Sequence, residues 1–406
     1  MMHKDTFSLA ENAFDKLVLF AIYFLFIFSA MLPMSGNAAN YVATILILGM
    51  LFVYLLMIKD IQNKRYQIVI ILSYVILLSV AFYPPVQLET LYFRLFVLKV
   101  VLLTMFMSST KMSVQSFSYV LNLSYLIYLF LSLLVWFKLV PGYDYASVNS
   151  FNVNIGSLKF ETLFGISGTT AAIDSYSGLI FLWNLFVNKS RYKYILMFIS
   201  FAALLLTFRN TPIVALILAV IVYFFIRNRV LGIASLVGLV IGFLSVVWLL
   251  NSVPDAQVPF LPMDKTWNEF FWAVTHARSS LWAQQFMIYL NDYTWHDYIV
   301  GPGLTKLTVP FVKPDGQILH ETFNPHNSYL LLLYRSSVTS IILFILFLAY
   351  TMKTFSRRTF PLIFFIATSA ITNSSLLGLQ NPTYLLVILF IFTHTRLQGE
   401  YKKGNV

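Results

Sequence analysis

Apolar runs long enough to cross a membrane recur from one end of this chain to the other. Of its 406 residues, 59% are hydrophobic and 11% are charged, whereas a soluble domain carries about 25% charged residues. A helix needs about 20 apolar residues to cross the hydrocarbon core of a bilayer. The sequence therefore predicts an integral, all-α membrane protein in which residues 1–406 form a single polytopic domain.

About twelve stretches meet this length requirement. The predicted spans are 16–34, 40–58, 66–84, 91–108, 117–138, 167–187, 193–208, 212–226, 230–252, 327–351, 360–376 and 382–396. The connection between the ninth and tenth spans, residues 253–326, is far longer than ordinary loops, and such loops are usually functional or disordered. Its tryptophans and the helical spacing of apolar residues over 266–290 indicate a partly helical loop. That helix is expected either against the membrane face or packed on top of the bundle.

Basic residues fall on every second connection between the predicted spans. They are Lys59, Lys64 and Arg65; Lys111; Lys189, Arg191 and Lys193; Arg227 and Arg229; Lys353, Arg357 and Arg358; and Arg396, Lys402 and Lys403. Positive residues in short loops stay on the cytoplasmic side. Both termini are then cytoplasmic, no signal peptide is removed, and the long loop lies outside. The net charge of +11 thus indicates topology and contact with anionic lipid head groups, not nucleic acid.

A few charged side chains lie at the outer rim of the predicted bundle, where burial of charge is costly. They are Arg209 at the end of a span, Arg278 and His326 in the long loop, and Arg335 and Asp174 about two turns into their spans. The arginine fork suits phosphate oxygens because it donates two aligned hydrogen bonds. Histidine can exchange a proton near neutral pH. Together these residues predict a site for a lipid-linked pyrophosphate.

Structural roles for the same residues remain open at this point. Arg94 can extend its side chain to the interface, Arg335 can pair with Asp174 as a structural bridge, and Arg209 can act as an interfacial anchor. The chain has no cysteine and no Asp-x-Asp pair, and the spacing of His320, Glu321 and His326 does not suit a metal ion. We therefore predict neither a metal nor a cofactor.

Three short motifs occur in order between about residues 200 and 350. They are Phe208-Arg209-Asn-Thr-Pro-Ile-Val-Ala-Leu, then Arg278 with Trp282 and Gly301-Pro-Gly303, then His326-Asn327-Ser-Tyr329-Leu330. This set resembles the O-antigen polymerase and O-antigen ligase superfamily. One departure is Arg335-Ser-Ser337 with Ser340, where members of that family often carry glycines. The stretch Phe164-Gly-Ile-Ser-Gly168 is typical of the polymerases in particular.

The resemblance implies a large glycosyltransferase-type membrane fold in the bacterial inner membrane, with a periplasmic active site. It implies an O-antigen polymerase that moves a glycan from an undecaprenyl-pyrophosphate carrier to another lipid-linked repeat unit. The alternatives are a ligase that passes the glycan to a lipid A core and, more remotely, a flippase or secondary transporter. Besides the lipid-linked oligosaccharide and membrane lipids, a chain-length regulator is an expected partner. The expected catalytic residues are His326, Arg278 and Arg209, and the expected substrate-binding residues are Arg335, Trp282, Asn327, Glu321, Asp174 and Arg94.

Overall fold

A computed structural model describes most of the second half of the chain and part of the first. The described residues are 13–25, 45–51, 53–54, 98–99, 102–107, 110, 112–141, 143, 145, 148, 152–155, 158–166, 170–252, 266, 269–271, 278–300, 309–312, 316–322, 327–335, 337–372 and 383–393.

These residues are mostly helical, with two short β-hairpins. The helices are α1 (Val114–Trp136), α2 (Thr170–Phe186), α3 (Lys193–Leu206), α4 (Asn210–Phe225), α5 (Arg229–Ser252), α6 (Arg278–Asn291), α7 (Trp295–Val300), α8 (Ser328–Arg335), α9 (Ser337–Lys353), α10 (Phe360–Thr372) and α11 (Thr383–Thr393). The strands are β1 (Asn152–Ile155), β2 (Leu158–Glu161), β3 (Val309–Val312) and β4 (Ile318–Thr322). Helical residues also occur within 13–25, 45–54 and 98–107.

Helix occurs within each predicted span except 66–84, which lies outside the described residues. Among the residues that the structure describes, two helices, α1 and α5, are long and apolar enough to cross a membrane. The 23 residues of α1 extend for about 35 Å at 1.5 Å per residue, slightly more than a hydrocarbon core of about 30 Å. Helices α3, α4, α10 and α11 are apolar but shorter. The count of twelve spans stays a prediction.

Three basic connections meet at one end of the bundle. The end of α2 meets the end of α4, where the rings of Phe186 and Tyr223 stack with centroids 4.4 Å apart. The connection between α9 and α10 reaches the same place, because the Arg357 Nε donates to the Tyr223 carbonyl at 3.1 Å. We call this the basic end; it carries Lys189, Lys193, Arg227, Arg229, Arg357 and Arg358. Which side of a membrane it faces stays a prediction.

Buried polar contacts join α1 to α2 inside the apolar core. The pairs are Trp183 with Ser118 at 2.9 Å, Asn184 with Asn122 at 2.8 Å, and Tyr125 with Ser177 at 2.9 Å. All six side chains are buried, so each hydrogen bond satisfies groups that would otherwise be left without a partner away from water. The register of α1 against α2 is therefore specified by polar groups as well as by apolar packing.

A close approach of α2 and α10 depends on one glycine. A Cβ on Gly178 would lie 2.4 Å from the Phe365 Cζ, a separation that two carbon atoms cannot tolerate. The Phe365 ring is fully buried, so it has little room to move aside. Gly178 thus lets the two helices approach more closely than any residue with a side chain would allow.

The two β-hairpins lie in the long connections and were not among the predicted elements. In the first, β1 pairs antiparallel with β2, and Ile155 lies opposite Leu158. The intervening Gly156-Ser157 is a two-residue hairpin signal. In the second, β3 pairs with β4 after the turn sequence Pro314-Asp315-Gly316, and Gly316 has a φ of +82°. That left-handed backbone favours glycine.

The long loop carries a helix where one was predicted, and its first half is buried against the bundle. Of the predicted 266–290 segment, α6 occupies Arg278–Asn291 and packs on α5 and β3. The Trp282 ring meets Phe243 of α5 edge to face, with centroids 5.2 Å apart. Tyr293 joins α8 through a hydrogen bond of 2.9 Å to the Tyr334 carbonyl. The described residues of this segment pack on the bundle, and whether the helix also lies against the membrane face stays a prediction.

Candidate functional site

A sharp corner between α3 and α4 positions Arg209. Helix α3 ends at Leu206, and α4 begins at Asn210, so only three residues reverse the chain. Phe208 adopts a left-handed φ of 50°, which is unusual for a bulky residue and costs free energy. Arg209 is then the N-cap residue of α4, with no side-chain cap. The strained turn indicates that the position of Arg209 is constrained.

Arg209 forms an ion pair with Asp174 of α2. Its Nη1 lies 3.1 Å from the Asp174 Oδ2, and the Asp174 side chain is 1% exposed. The Ser175 hydroxyl donates to the other carboxylate oxygen at 2.8 Å. The arginine side chain is 18% exposed, so one face of the pair reaches the edge of the bundle. Asp174, predicted as a partner of either substrate or Arg335, is thus paired with Arg209.

Arg278 brings a second guanidinium to this corner. It is the first residue of α6, whose first turn holds no acidic residue. Burial and repulsion from Arg209 lower the pKa of Arg278 from its ordinary value to about 10, while attraction from Asp174 opposes the change. The three charges therefore lie close enough to act on one another, although they come from positions 174, 209 and 278. We call the end of the bundle that carries them the site end.

This arrangement brings cationic groups together in a way suited to an anion. Arg209 forms an ion pair with Asp174, and Arg278 is close enough to feel the charge of both. Helices α4 and α6 begin beside the two arginines, and a helix N-terminus carries partial positive charge. A bound anion would relieve the repulsion between the arginines. A diphosphate, which accepts several hydrogen bonds from guanidinium forks, fits this chemistry.

Hydroxyl groups surround Asp174, and sequence reasoning did not find them. Ser175, Ser369 and Tyr384 lie close to one another and to the carboxylate. All three are buried and come from α2, α10 and α11. No spacing in the sequence connects these helices, so only the fold reveals the cluster. Ser175 donates to the carboxylate, and Tyr384 lies close enough to feel its charge.

Asn327 has a structural role in the described conformation. Its Oδ1 accepts from the Leu330 backbone N–H at 2.9 Å and so caps α8, as asparagine often does at a helix start. Its amide nitrogen donates to the Ile371 carbonyl near the end of α10. Since the second half of α10 also carries Ser369, this end of α10 lies at the site end. His326 lies outside the described residues, and the residue that follows it is anchored there.

Of the remaining predicted residues, only Trp282 has a side chain that the structure describes. Trp282 is 2% exposed, and its ring contacts Phe243, so we leave it out of the proposed site. The backbone of Glu321 lies in β4 opposite Pro310, and that of Arg335 ends α8; their side chains are not described. Arg94 lies outside the described residues. In the stretch 164–168, the backbone N–H of Ile166 donates to the Ser132 Oγ at 3.1 Å.

Among the residues that the structure describes, no three His, Asp or Glu side chains lie together in a way that could hold a metal ion. Comparison of the chain with protein-family models, with curated proteins and with solved structures found no match. The resemblance to the O-antigen superfamily therefore rests on its motifs alone.

Proposed function

We propose that this protein is a membrane-embedded polymerase of a surface polysaccharide, an O-antigen polymerase. It transfers a glycan from an undecaprenyl-pyrophosphate carrier to a second lipid-linked repeat unit at the periplasmic face of a bacterial inner membrane. The proposal includes the predicted topology of about twelve spans, with both termini in the cytoplasm. The observation that supports it best is the cluster of Arg209, Arg278 and Asp174.

The donor chemistry requires cationic groups beside the leaving pyrophosphate. In the reaction, an acceptor hydroxyl attacks the anomeric carbon of the donor sugar, and the bond from that carbon to the pyrophosphate oxygen breaks. The lipid pyrophosphate leaves with the bonding electrons, so negative charge grows on its oxygens. Guanidinium groups fixed beside that oxygen stabilise this charge more in the transition state than in the ground state. Arg209 and Arg278 are proposed to supply this stabilisation.

His326 is proposed to take the proton of the acceptor hydroxyl. Its neighbour Asn327 caps α8 and bonds to Ile371 at the site end, so the chain beside the histidine is fixed there. Asp174 is assigned to positioning, because its carboxylate holds Arg209 at 3.1 Å and its charge acts on Arg278. It acts through the arginines and does not need to touch the substrate.

Purified protein in lipid nanodiscs, supplied with undecaprenyl-pyrophosphate-linked repeat units, tests the proposal directly. The wild-type chain should produce a ladder of longer glycans without an ion gradient. Arg278→Ala and Arg209→Ala should each lower the rate by a factor of about 100 or more, as loss of an oxyanion-stabilising donor does. Arg227→Ala, at the basic end, is the matched control and should keep the ladder. A wild-type rate in both site variants would refute the proposal.

A gene-deletion strain separates the polymerase from the ligase. Loss of a polymerase leaves single repeat units on the lipid A core, whereas loss of a ligase leaves long polymer on its undecaprenyl carrier. A flippase or secondary transporter would move substrate without lengthening it in the nanodisc assay. We expect single-repeat products.

A further inference from the structure

Helix α6 packs on the side of α5, well short of the point where α5 ends. The Trp282 ring meets Phe243 edge to face, and Val247 belongs to the same buried cluster. Phe243 lies nine residues before Ser252, the last residue of α5, which is about 13 Å at 1.5 Å per residue. The long connection therefore folds back along a helix that is long and apolar enough to cross a membrane.

The length of α5 sets the depth of this contact. Its 24 residues extend for about 36 Å, which exceeds a hydrocarbon core of about 30 Å by only about 6 Å. If that whole excess projected from the end that carries Ser252, the contact at Phe243 would still lie about 7 Å inside the hydrocarbon core. Wherever α5 crosses the bilayer as predicted, α6 therefore lies at the depth of the lipid chains.

The outward face of α6 is apolar. Leu281, Trp282 and Gln285 are buried against the bundle, while Met287 and Leu290 lie on the opposite face of the helix and are exposed. No charged residue follows Arg278 in this helix. A helix that faces water usually carries charged and polar residues opposite its buried face, so the composition of α6 suits a lipid environment better.

Helix α7 adds two exposed apolar side chains. Trp295, which is 75% exposed, and Ile299 are four residues apart and so share one face of the helix. The carboxylate of Asp297 is buried and accepts from the Thr294 backbone N–H and hydroxyl, both at 2.7 Å. The charge of this helix is thus used at its own start, and Trp295 and Ile299 leave an apolar outer face.

The neighbouring helix α9 indicates what covers this face. Helix α7 packs on α9, which lies in the predicted span 327–351 and exposes Val338, Ile341, Ile342 and Ile345. Those side chains are expected to face lipid chains, and the exposed side chains of α7 extend the same apolar surface. A tryptophan suits the edge of such a surface, because its ring lies among lipid chains while its N–H bonds to water or head groups.

We propose that α6 and α7 are embedded in the bilayer leaflet around the site end, with Met287, Leu290, Trp295 and Ile299 in contact with lipid chains. At about 21 Å, the 14 residues of α6 are too short to cross the hydrocarbon core, so the segment enters the leaflet and returns. Its helical backbone is hydrogen-bonded internally, as a lipid environment requires. The proposal rests on the predicted crossing of α5 and not on the polymerase reaction.

Spin labels at single cysteines test this proposal on the full-length protein. The chain contains no cysteine, so Leu290→Cys and Trp295→Cys can each be labelled at one place and reconstituted in nanodiscs of phosphatidylethanolamine and phosphatidylglycerol. Electron paramagnetic resonance then compares collisions of the label with oxygen, which concentrates in lipid, and with a water-soluble nickel chelate. The lipid reference is Ile217→Cys, exposed in α4, and the water reference is Lys159→Cys, exposed in β2.

We expect the ratio of oxygen to nickel collisions at both test positions to lie nearer to the Ile217 reference than to the Lys159 reference on a logarithmic scale. A ratio nearer to the Lys159 reference at either position would overturn the proposal, because the face would then be open to water and free to stack on a sugar. Few collisions with either reagent would overturn it as well, because protein, such as a second copy of the chain, would then cover the face.

Two further variants guard against misfolding. Thermal unfolding in detergent compares each labelled protein with the wild type, and Met287→Cys or Ile299→Cys, on the same two faces, replaces a variant that unfolds early. The measurement needs no polymer formation, so a water-like ratio would leave the proposed polymerase intact. A lipid-like ratio in a chain that forms no polymer would support the embedding of α6 and α7 alone.

Discussion

Replacing Arg278 by lysine should make the site sensitive to pH in a range where the wild-type protein is not. Burial and the neighbouring Arg209 lower the pKa of Arg278 from its ordinary value to about 10. The wild-type guanidinium therefore stays charged up to about pH 9. A lysine has an ordinary pKa of about 10.4, and an ammonium is more strongly hydrated than a guanidinium, so burial disfavours its charge at least as much.

The same burial and the same neighbouring charge should lower the pKa of the replacement lysine below its ordinary value. The sign follows from the cation: its charged form is disfavoured in the folded protein, so it loses its proton at lower pH than usual. Above that lowered pKa, the fraction of charged lysine falls about tenfold for each pH unit. Binding and turnover of the lipid pyrophosphate should fall in parallel.

The assay is polymer formation in nanodiscs between pH 6.5 and 9.5, with the ratio of Arg278→Lys to wild type plotted against pH. This ratio removes any pH effect on the acceptor or on His326, since both proteins share them. We expect a ratio that is flat at low pH and declines toward the upper end of this range, because a lysine with a lowered pKa loses its charge there while the arginine keeps it. A ratio that stays constant to pH 9.5 would show that Arg209 and burial do not act on position 278 as described.

Two further predictions concern stability. Gly178→Ala should lower the free energy of unfolding by about 1–3 kcal/mol, because the new Cβ would meet the Phe365 ring at 2.4 Å. Thermal unfolding in detergent measures this, and Gly242→Ala, which meets nothing within 4 Å, should be neutral or stabilising; equal losses would contradict the close-packing argument. Asp174→Asn should cost about 2 kcal/mol, less than the 3–5 kcal/mol of a fully buried pair, because Arg209 is 18% exposed and water can solvate it. Adding Arg209→Gln should recover part of this loss, and strict additivity in the double-mutant cycle would show that the pair does not interact.

The arrangement of helices could be read largely from hydropathy. Apolar runs predicted helices where the structure has α1 to α5 and α9 to α11, because an apolar stretch of this length has few alternatives to a buried helix. The alternation of basic connections also matches the gathering of Lys189, Arg227 and Arg357 at one end. The boundaries were less exact: Thr207 to Arg209 form a turn, whereas the predicted seventh span ran to 208.

The β-hairpins were not predicted, because they lie in the connections between apolar runs, where hydropathy carries no signal for a strand. Asn152 to Ile155 alternate polar and apolar residues, and Gly156-Ser157 follows, which is a strand and turn pattern by ordinary criteria. Pro314-Asp315-Gly316 is an equally specific turn signal. Both turn signals lie in the connections between predicted spans.

The site was predictable in its charges but not in its pairings. Arg209, Arg278 and Asp174 stood out because charge in an apolar context is costly. The pairing of Asp174 with Arg209 depends on the corner at Phe208. No sequence pattern predicts the left-handed backbone of that residue. The place of Tyr384 near Asp174 could not be predicted either, since its helix meets α2 only in the folded bundle.

The central claim is that Arg209 and Arg278 together hold the pyrophosphate of a lipid carrier. An electron cryomicroscopy structure of the protein with undecaprenyl pyrophosphate bound in nanodiscs tests it most directly. We predict phosphate oxygens about 2.7–2.9 Å from nitrogens of both guanidinium groups, the distance of charge-assisted hydrogen bonds, with His326 facing the same head group. A head group bound elsewhere, with Arg209 and Arg278 contacting only protein, would contradict the claim.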